Sequence, residues 1–279
     1  MISGSLQCRA RLEFRHDDAT GRTVLHRRLA GGLCHVGKPY WDGRCLTLQL
    51  VNPTAGIFSG DRFGLEVEVD EGAQVAIECP SATRFHTMLA GGHATLEQSF
   101  DIADGASLDF WPDWTIPQRG SSVSQETTIR LAPHGRLAFL DLLAPGRVAH
   151  GESHDYRSYT TSLRIDRAGI PLAIERMELD AISADGWPLA VNGWSTTFYA
   201  GLWLVDSALN VTSLSETIAD LELGLSSDEV RIGISQLADD SFVFRLLSAR
   251  ALLLRQAVEE LRSALAVHSS ILSRTSRKL

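Results

Sequence analysis

His150, Glu152 and His154 stand at alternate positions, two imidazoles flanking a carboxylate. In a strand the three would share one face and offer a ligand set for a borderline divalent cation; in a loop that argument does not hold. Asp109, Asp113, Asp141, Glu152 and Asp155 supply acids for carbohydrate chemistry, but no spacing among them selects a working pair. The segment FWPDWTIPQ, with Phe110, Trp111 and Trp114, reads as a sugar platform or as a buried corner held by Pro112 and Pro117, the corner being the simpler account. The segment GIFSGDR is not a phosphate loop, because it lacks the Lys-Ser/Thr pair that must reach phosphates and magnesium. Nor is it a nucleophile elbow: Ser59 abuts Gly60 and a strand pattern follows, where the elbow needs a helix. Gly56 and Gly60 permit a backbone path closed to other residues, and Asp61 is placed to accept hydrogen bonds from turn NH groups.

The elements that must position these groups repeat. LEVEVDEGAQVAIECP, QSFDIADGASLDFWP, TIRLAPHGRLAFLD and SLRIDRAGIPLAIERM each join two short alternating runs through a turn, at Gly72, Gly105, Gly135 and Gly169. The phrase therefore returns every 30 to 34 residues, the interval of stacked repeats. In the first copy Leu65, Val67 and Val69 share a face, as do Val75, Ile77 and Cys79, while Glu66, Glu68 and Glu78 point away. Asp104-Gly105 and Asp185-Gly186 are dipeptides that suit tight hairpins. Each copy reads as a hairpin-like unit that cannot bury its apolar face alone. The fold class is mainly β: extended layered or β-helical, solenoid-like sheets of repeated units, an ordinary β-sandwich being the alternative.

The tail differs. From about Phe242 the sequence SFVFRLLSARALLLRQAVEELRSALAVHSSIL is rich in helix formers, and Leu254, Val258, Leu261 and Leu265 fall on one helical face. A long helix is predicted there, with a shorter one around Ser213 to Leu223. One domain follows, with a β body over about 1–212 and a helical C-terminal region over about 213–279.

The 279 residues carry a net charge of −8, which argues against nucleic acid, whose binding needs a clustered basic surface. Four scattered cysteines lack CxxC spacing, and no run of about 18 apolar residues is long enough for a membrane span. A soluble cytoplasmic protein with reduced thiols is expected.

NPTAGIFSGDRFGLEVEV, CPSATRFH, FWPDWTIPQRGSS and LLAPGRVAHGE follow one another in this order. Together they resemble the urease accessory protein family UreD, also called UreH, closely from Leu46 to Glu152 and more loosely elsewhere. Three positions depart from the family pattern: Ser59 stands for the first glycine of the turn, Arg84 for a lysine, and Asp141 for an acid that is usually Glu. The resemblance implies a non-enzymatic metallochaperone scaffold, required for nickel insertion into apo-urease. It implies as partners apo-urease, a helical UreF-like accessory protein and a UreG-like GTPase, with no nucleic acid and no membrane. It implies no firmly bound cofactor, only nickel in transit, along an interior path for which Asp61, Thr83, Arg84, Asp141, Arg147 and Glu152 occupy motif positions. His150, Glu152 and His154 are weaker metal candidates, and Leu254 and Leu261 on the long helix are candidates for the partner contact. The alternatives are a β-solenoid carbohydrate-active enzyme using paired carboxylates, and a paralogous scaffold for another metalloenzyme.

Overall fold

The computed structural model describes residues 6–89, 91–180, 194–209, 211–225 and 228–272. The strands run β1 Gln7–Asp17, β2 Arg22–Leu29, β3 His35–Val36, β4 Tyr40–Asp42, β5 Cys45–Val51 and β6 Arg62–Val69. They continue as β7 Gln74–Glu78, β8 Thr83–Phe85, β9 Ala94–Ile102, β10 Ser107–Trp111, β11 Thr115–Pro117 and β12 Ser122–Leu131. Then come β13 Arg136–Leu143, β14 Ser158–Arg167, β15 Ile170–Asp180 and β16 Phe198–Val205. Helix α1 (Val211–Leu225), β17 (Val230–Ala238), β18 (Ser241–Ser248) and helix α2 (Ala251–Leu265) complete the order.

Two sheets face each other. The first has the order β15-β14-β12-β9-β6-β1-β2 and the second β17-β18-β16-β13-β10-β7-β5-β3. β1, β6, β9, β12 and β14 are parallel neighbours, as are β5, β7, β10 and β13. The chain thus coils through about four solenoid turns, and the period of the glycine phrase is the length of one coil.

The hairpin expectation holds only for the last phrase. β14 and β15 pair antiparallel around Gly169, whereas the Gly72, Gly105 and Gly135 turns carry the chain from one sheet to the other. Asp104-Gly105 is therefore a corner, in which Asp104 Oδ1 accepts the His134 NH of the next corner at 2.9 Å. Asp185-Gly186 lies outside the described residues. Alternation within a phrase cannot distinguish the two geometries, because either one buries one face of each strand.

The tail also departs from expectation. SFVFRLLS forms β18, not the start of a helix, and β17 and β18 are strands within the stretch from 213 onward that the sequence assigns to helices. Helix propensity loses here to packing: Phe242, Phe244 and Leu246 enter one core while Val243 enters another. The shorter predicted helix is present as α1.

The second sheet is covered on both faces. Its inner face and the first sheet enclose one core, and its outer face packs beneath α1 and α2 to form another. FYAGLWLV in β16 is accordingly buried at every position, a continuous rather than alternating apolar run. Leu254 and Leu261 of α2 are both 0% exposed in this second core. The face read as a partner contact is packed against the chain's own sheet.

Candidate functional site

Cross-strand registers sort the solenoid interior into layers. Leu46, Val75, Leu108, Leu137 and Val205 form one layer of the second sheet, and Leu48, Ile77, Phe110, Phe139, Trp203 and Val243 form the next. Both are wholly apolar. The layer above changes character: Asp141 stands beside Gly201, and Gly201 beside Arg245. Cys79 joins it, two residues beyond Ile77 on the same face. On the opposing sheet the register Leu65, Gln98, Thr127, Leu163 and Glu175 mixes apolar and polar, with Gln125 two residues before Thr127.

These polar groups are tied to one another. Thr127 Oγ1 donates to Gln98 Oε1 at 3.1 Å, and the Tyr159 hydroxyl donates to Gln125 Oε1 at 2.9 Å. Burial pushes the Asp141 carboxyl up to about 6; a backbone hydrogen bond from Leu142 and a contact with Gln125 oppose the rise, and the nearby Glu175 adds to it. Burial likewise raises the Tyr159 phenol.

A cavity of ≈ 70 Å³ opens along this layer, with Asp141, Thr83, Thr115, Gln98, Gln125 and Cys79 among its lining residues. Asn52, Ser81 and Asp113 add polar groups to its wall, and Ile57, Leu65, Phe110 and Phe139 are among its apolar ones. Asp141 retains accessible surface because it faces this space. Burial holds the thiols of Cys34 and Cys79, which also line the cavity, up near 11 and 12, so both are neutral.

Of the motif residues, Thr83 and Asp141 meet at this cavity. The others lie elsewhere, on a third edge of the coil: Asp61, Arg147 and Glu152 in stacked loops, and Arg84 in the short strand β8, which pairs with β11. Gly60 NH donates to the His93 carbonyl, Met88 NH to that of Gly120, and Gly120 NH to that of Asp155, so successive coils are bonded loop to loop. Asp61, 3% exposed, accepts the Leu6 NH on Oδ1 at 2.7 Å and the Phe58 NH on Oδ2 at 2.8 Å. It is the turn-satisfying carboxylate that GIFSGDR suggested. Gly56 is required where the loop crosses the next coil: its φ is +147°, and a Cβ there would stand 2.5 Å from the Arg84 carbonyl. The Arg84 side chain is exposed.

Glu152, 5% exposed, is paired with Arg147, whose Nε donates to Oε2 at 2.8 Å, and also accepts the Arg119 NH at 3.3 Å. The Arg147 hydrogen bond, with help from Arg119, holds its carboxyl below the usual range despite burial. His150 ends a 3-10 turn and His154 has φ +60°, so the strand needed to align His150, Glu152 and His154 does not form. Burial pushes the His154 imidazole down to about 4. Among the described residues no group of three or more His, Cys, Asp and Glu side chains is placed to hold a metal ion.

Of the acids considered for glycoside chemistry, Asp113 and Asp141 line the same cavity, but Asp113 is already paired with Arg255. Asp109 pairs with Arg262, Asp155 with Arg119 and Glu152 with Arg147, away from it. Trp114 lies in the second core and the Arg262 guanidinium stacks over Trp111 at 4.5 Å, so FWPDWTIPQ is the buried corner and not a platform. No helix among the described residues is long and apolar enough to cross a membrane.

Removing the Asp61 carboxylate should leave the NH groups of Phe58 in the turn and of Leu6 ahead of β1 without acceptors. Asp61→Ala is expected to cost about 1–3 kcal/mol in urea unfolding. An unchanged midpoint would show that water replaces both bonds.

Sequence reasoning missed Gln98, Gln125, Tyr199, Glu175 and Arg245. A readable signal was present: Leu96-x-Gln98-x-Phe100, Phe139-x-Asp141-x-Leu143 and Val243-x-Arg245-x-Leu247 each place one polar residue in an inward-facing series, and Val123-x-Gln125-x-Thr127-x-Ile129 places two.

A family model described as UreD urease accessory protein matches residues 7–278. The chain is 33% identical over 250 residues to the urease accessory protein UreD of Opitutus terrae, covering 89% of this chain and 90% of that one. To the protein of the same description from Acetivibrio thermocellus it is 28% identical over 243 residues, 85% and 90% of the two chains. To that of Methylibium petroleiphilum it is 29% identical over 272 residues, 90% of each.

Proposed function

The chain belongs to the UreD urease accessory protein family, and from that premise we propose that it passes nickel toward apo-urease through the polar layer of its own interior. It is a non-enzymatic accessory protein of urease maturation. The observation that carries the interior route is Asp141: a carboxylate held in a polar layer above two apolar ones, facing a cavity shared with Thr83, Thr115 and Gln125.

Nickel is cargo in this reading, so the route must bind it weakly. One carboxylate supplemented by hydroxyl and amide oxygens suits that need, since these donors rank below imidazole and thiolate for a late first-row cation. A buried carboxylate with no charged partner is costly, and a passing divalent cation relieves that cost. Glu152 is ill-suited to the task because Arg147 already occupies it. We assign Asp61, Arg84, Arg147 and Glu152 to holding the third edge, and Thr83 and Asp141 to the cargo. The partners proposed are apo-urease, a helical UreF-like accessory protein and a UreG-like GTPase, acting in the cytoplasm.

The test is the nickel content and activity of urease purified from cells expressing its structural and other accessory genes, with and without this chain. Both are expected to fall to background without it. Urease that keeps its nickel and activity would mean that the chain serves another metalloenzyme.

A further inference from the structure

The polar layer does not end at the cavity. Beyond Asp141 the second sheet presents Gly201, and the space left by its missing side chain is taken by Tyr199 from the same strand. A Cβ built at Gly201 would stand 2.5 Å from the Tyr199 hydroxyl and 2.6 Å from the Trp203 ring. Next in register is Arg245, which reaches across the interior to Glu175 of the opposing sheet and forms an ion pair with it. Tyr199 hydrogen-bonds Arg245 and lies within the electrostatic reach of Glu175 and Asp141. Burial raises its phenol, the carboxylates of Glu175 and Asp141 raise it further, and Arg245, which also hydrogen-bonds it, acts the other way.

Asp141, Tyr199, Arg245 and Glu175 thus form one continuous polar line from the cavity to the end of the coil. The far end is open to water: the Arg245 and Glu175 side chains keep 40% and 28% of their accessible surface. Two carboxylates face this line and one guanidinium stands among them. A cation moving along the line from Asp141 meets Glu175 next, and finds it already occupied by a positive charge.

We propose that Arg245 is the stopper of the interior route: it holds Glu175 against an arriving divalent cation, which reaches that carboxylate only when the guanidinium is drawn away. The inference rests on the interior route proposed above. It assigns to Arg245 a positioning role, acting through Glu175, and makes Glu175 the last carboxylate of the route.

Two consequences separate this from simple repulsion. Arg245→Gln removes the stopper and leaves Glu175 free beside Asp141, so the chain should hold its cargo. Arg245→Gln with Glu175→Gln removes stopper and carboxylate together, so the gain should vanish, whereas relief of repulsion alone would persist. The experiment is Ni2+ titration of the full chain, purified with its accessory partners, by calorimetry. The single variant is expected to bind Ni2+ about tenfold tighter than the parent, and the double variant to match the parent. Arg245→Lys, which keeps the charge but not the forked geometry, should fall between them and serves if Arg245→Gln does not fold. Equal Ni2+ affinity in parent and single variant, or an equal gain in single and double variants, would overturn the stopper. If Asp141→Asn also leaves urease nickel unchanged, the interior route itself fails; if Asp141→Asn lowers urease nickel, only the stopper does.

Discussion

Arg262→Ala should destabilise the fold by about 3–5 kcal/mol, the cost of leaving one member of a buried ion pair alone. Asp109 is 4% and Arg262 12% accessible at their side chains, with contacts of 3.1 and 2.5 Å between them. Asp109 points away from the solenoid interior, and α2 brings Arg262 over it. The guanidinium also lies over Trp111 at 4.5 Å, a stacking worth about 0.5–2 kcal/mol. Glu78 is close by: burial raises its carboxyl, Asp109 raises it further and Arg262 opposes this. Loss of Arg262 therefore leaves two carboxylates facing each other under a helix. Against a typical stability of about 5–15 kcal/mol, the change should lower the urea midpoint sharply and reduce soluble yield. Asp109→Asn combined with Arg262→Met should recover most of the loss, since it removes the charge that the single variant strands. A loss below about 1 kcal/mol in Arg262→Ala would show that water reaches the stranded carboxylate, and that α2 is held by its apolar face alone.

That apolar face was legible in the sequence and its partner was not. The spacing of Leu254, Val258, Leu261 and Leu265 gives a stripe, and all four are buried. A stripe does not say whether it meets the same chain or another. Here it meets the outer face of the second sheet, which β16 shows to be buried on both sides. That strand carries no alternation, so nothing local in FYAGLWLV marks it as the platform for a helix. The same lack of local information explains the misread start of the helix, because the residues of SFVFRLLS are as compatible with a helix as with a central strand until their neighbours are known.

The coil was legible as a period. Gly72, Gly105 and Gly135 recur at the interval of one turn, but a corner and a hairpin impose the same glycine and the same alternation. What distinguishes them is the pairing partner, one coil away in sequence. The site divided along a similar line. Thr83 and Asp141 belong to segments that sequence could place in order, and they converge on one cavity. Gln98, Glu175 and Arg245 are each a single polar residue in an apolar series, and Gln125 begins a polar pair with Thr127; they acquire meaning only when the strands are stacked in register and the four fall in or next to one layer. His150, Glu152 and His154 show the reverse case, a pattern that needed a strand and met a turn.

Asp141→Asn should stabilise the chain at pH 8 while lowering the nickel that reaches urease. The Asp141 carboxyl lies at about 6 in the fold against an ordinary 3.8. Between those values the folded chain holds a proton that the unfolded chain has released. Its contribution to stability is fully present below pH 3.8 and is lost as pH rises through about 6. Above that the fold carries a buried charge, a handicap of up to about 3 kcal/mol, reduced by the water the cavity admits. A neutral amide of the same shape escapes it and can still accept from the Leu142 NH. The variant should therefore gain about 1–3 kcal/mol over the parent at pH 8, and that gain should shrink toward pH 5. Urease matured with the variant should carry about tenfold less nickel, the effect of about 1.4 kcal/mol on the passing cation. A carboxylate kept at a cost to the fold, and lost together with cargo transfer, is what a route for a cation requires. An Asp141→Asn chain that is less stable at pH 8 would instead make the charge a structural one. A more stable chain that still loads urease fully would leave the cavity without a role in nickel transfer.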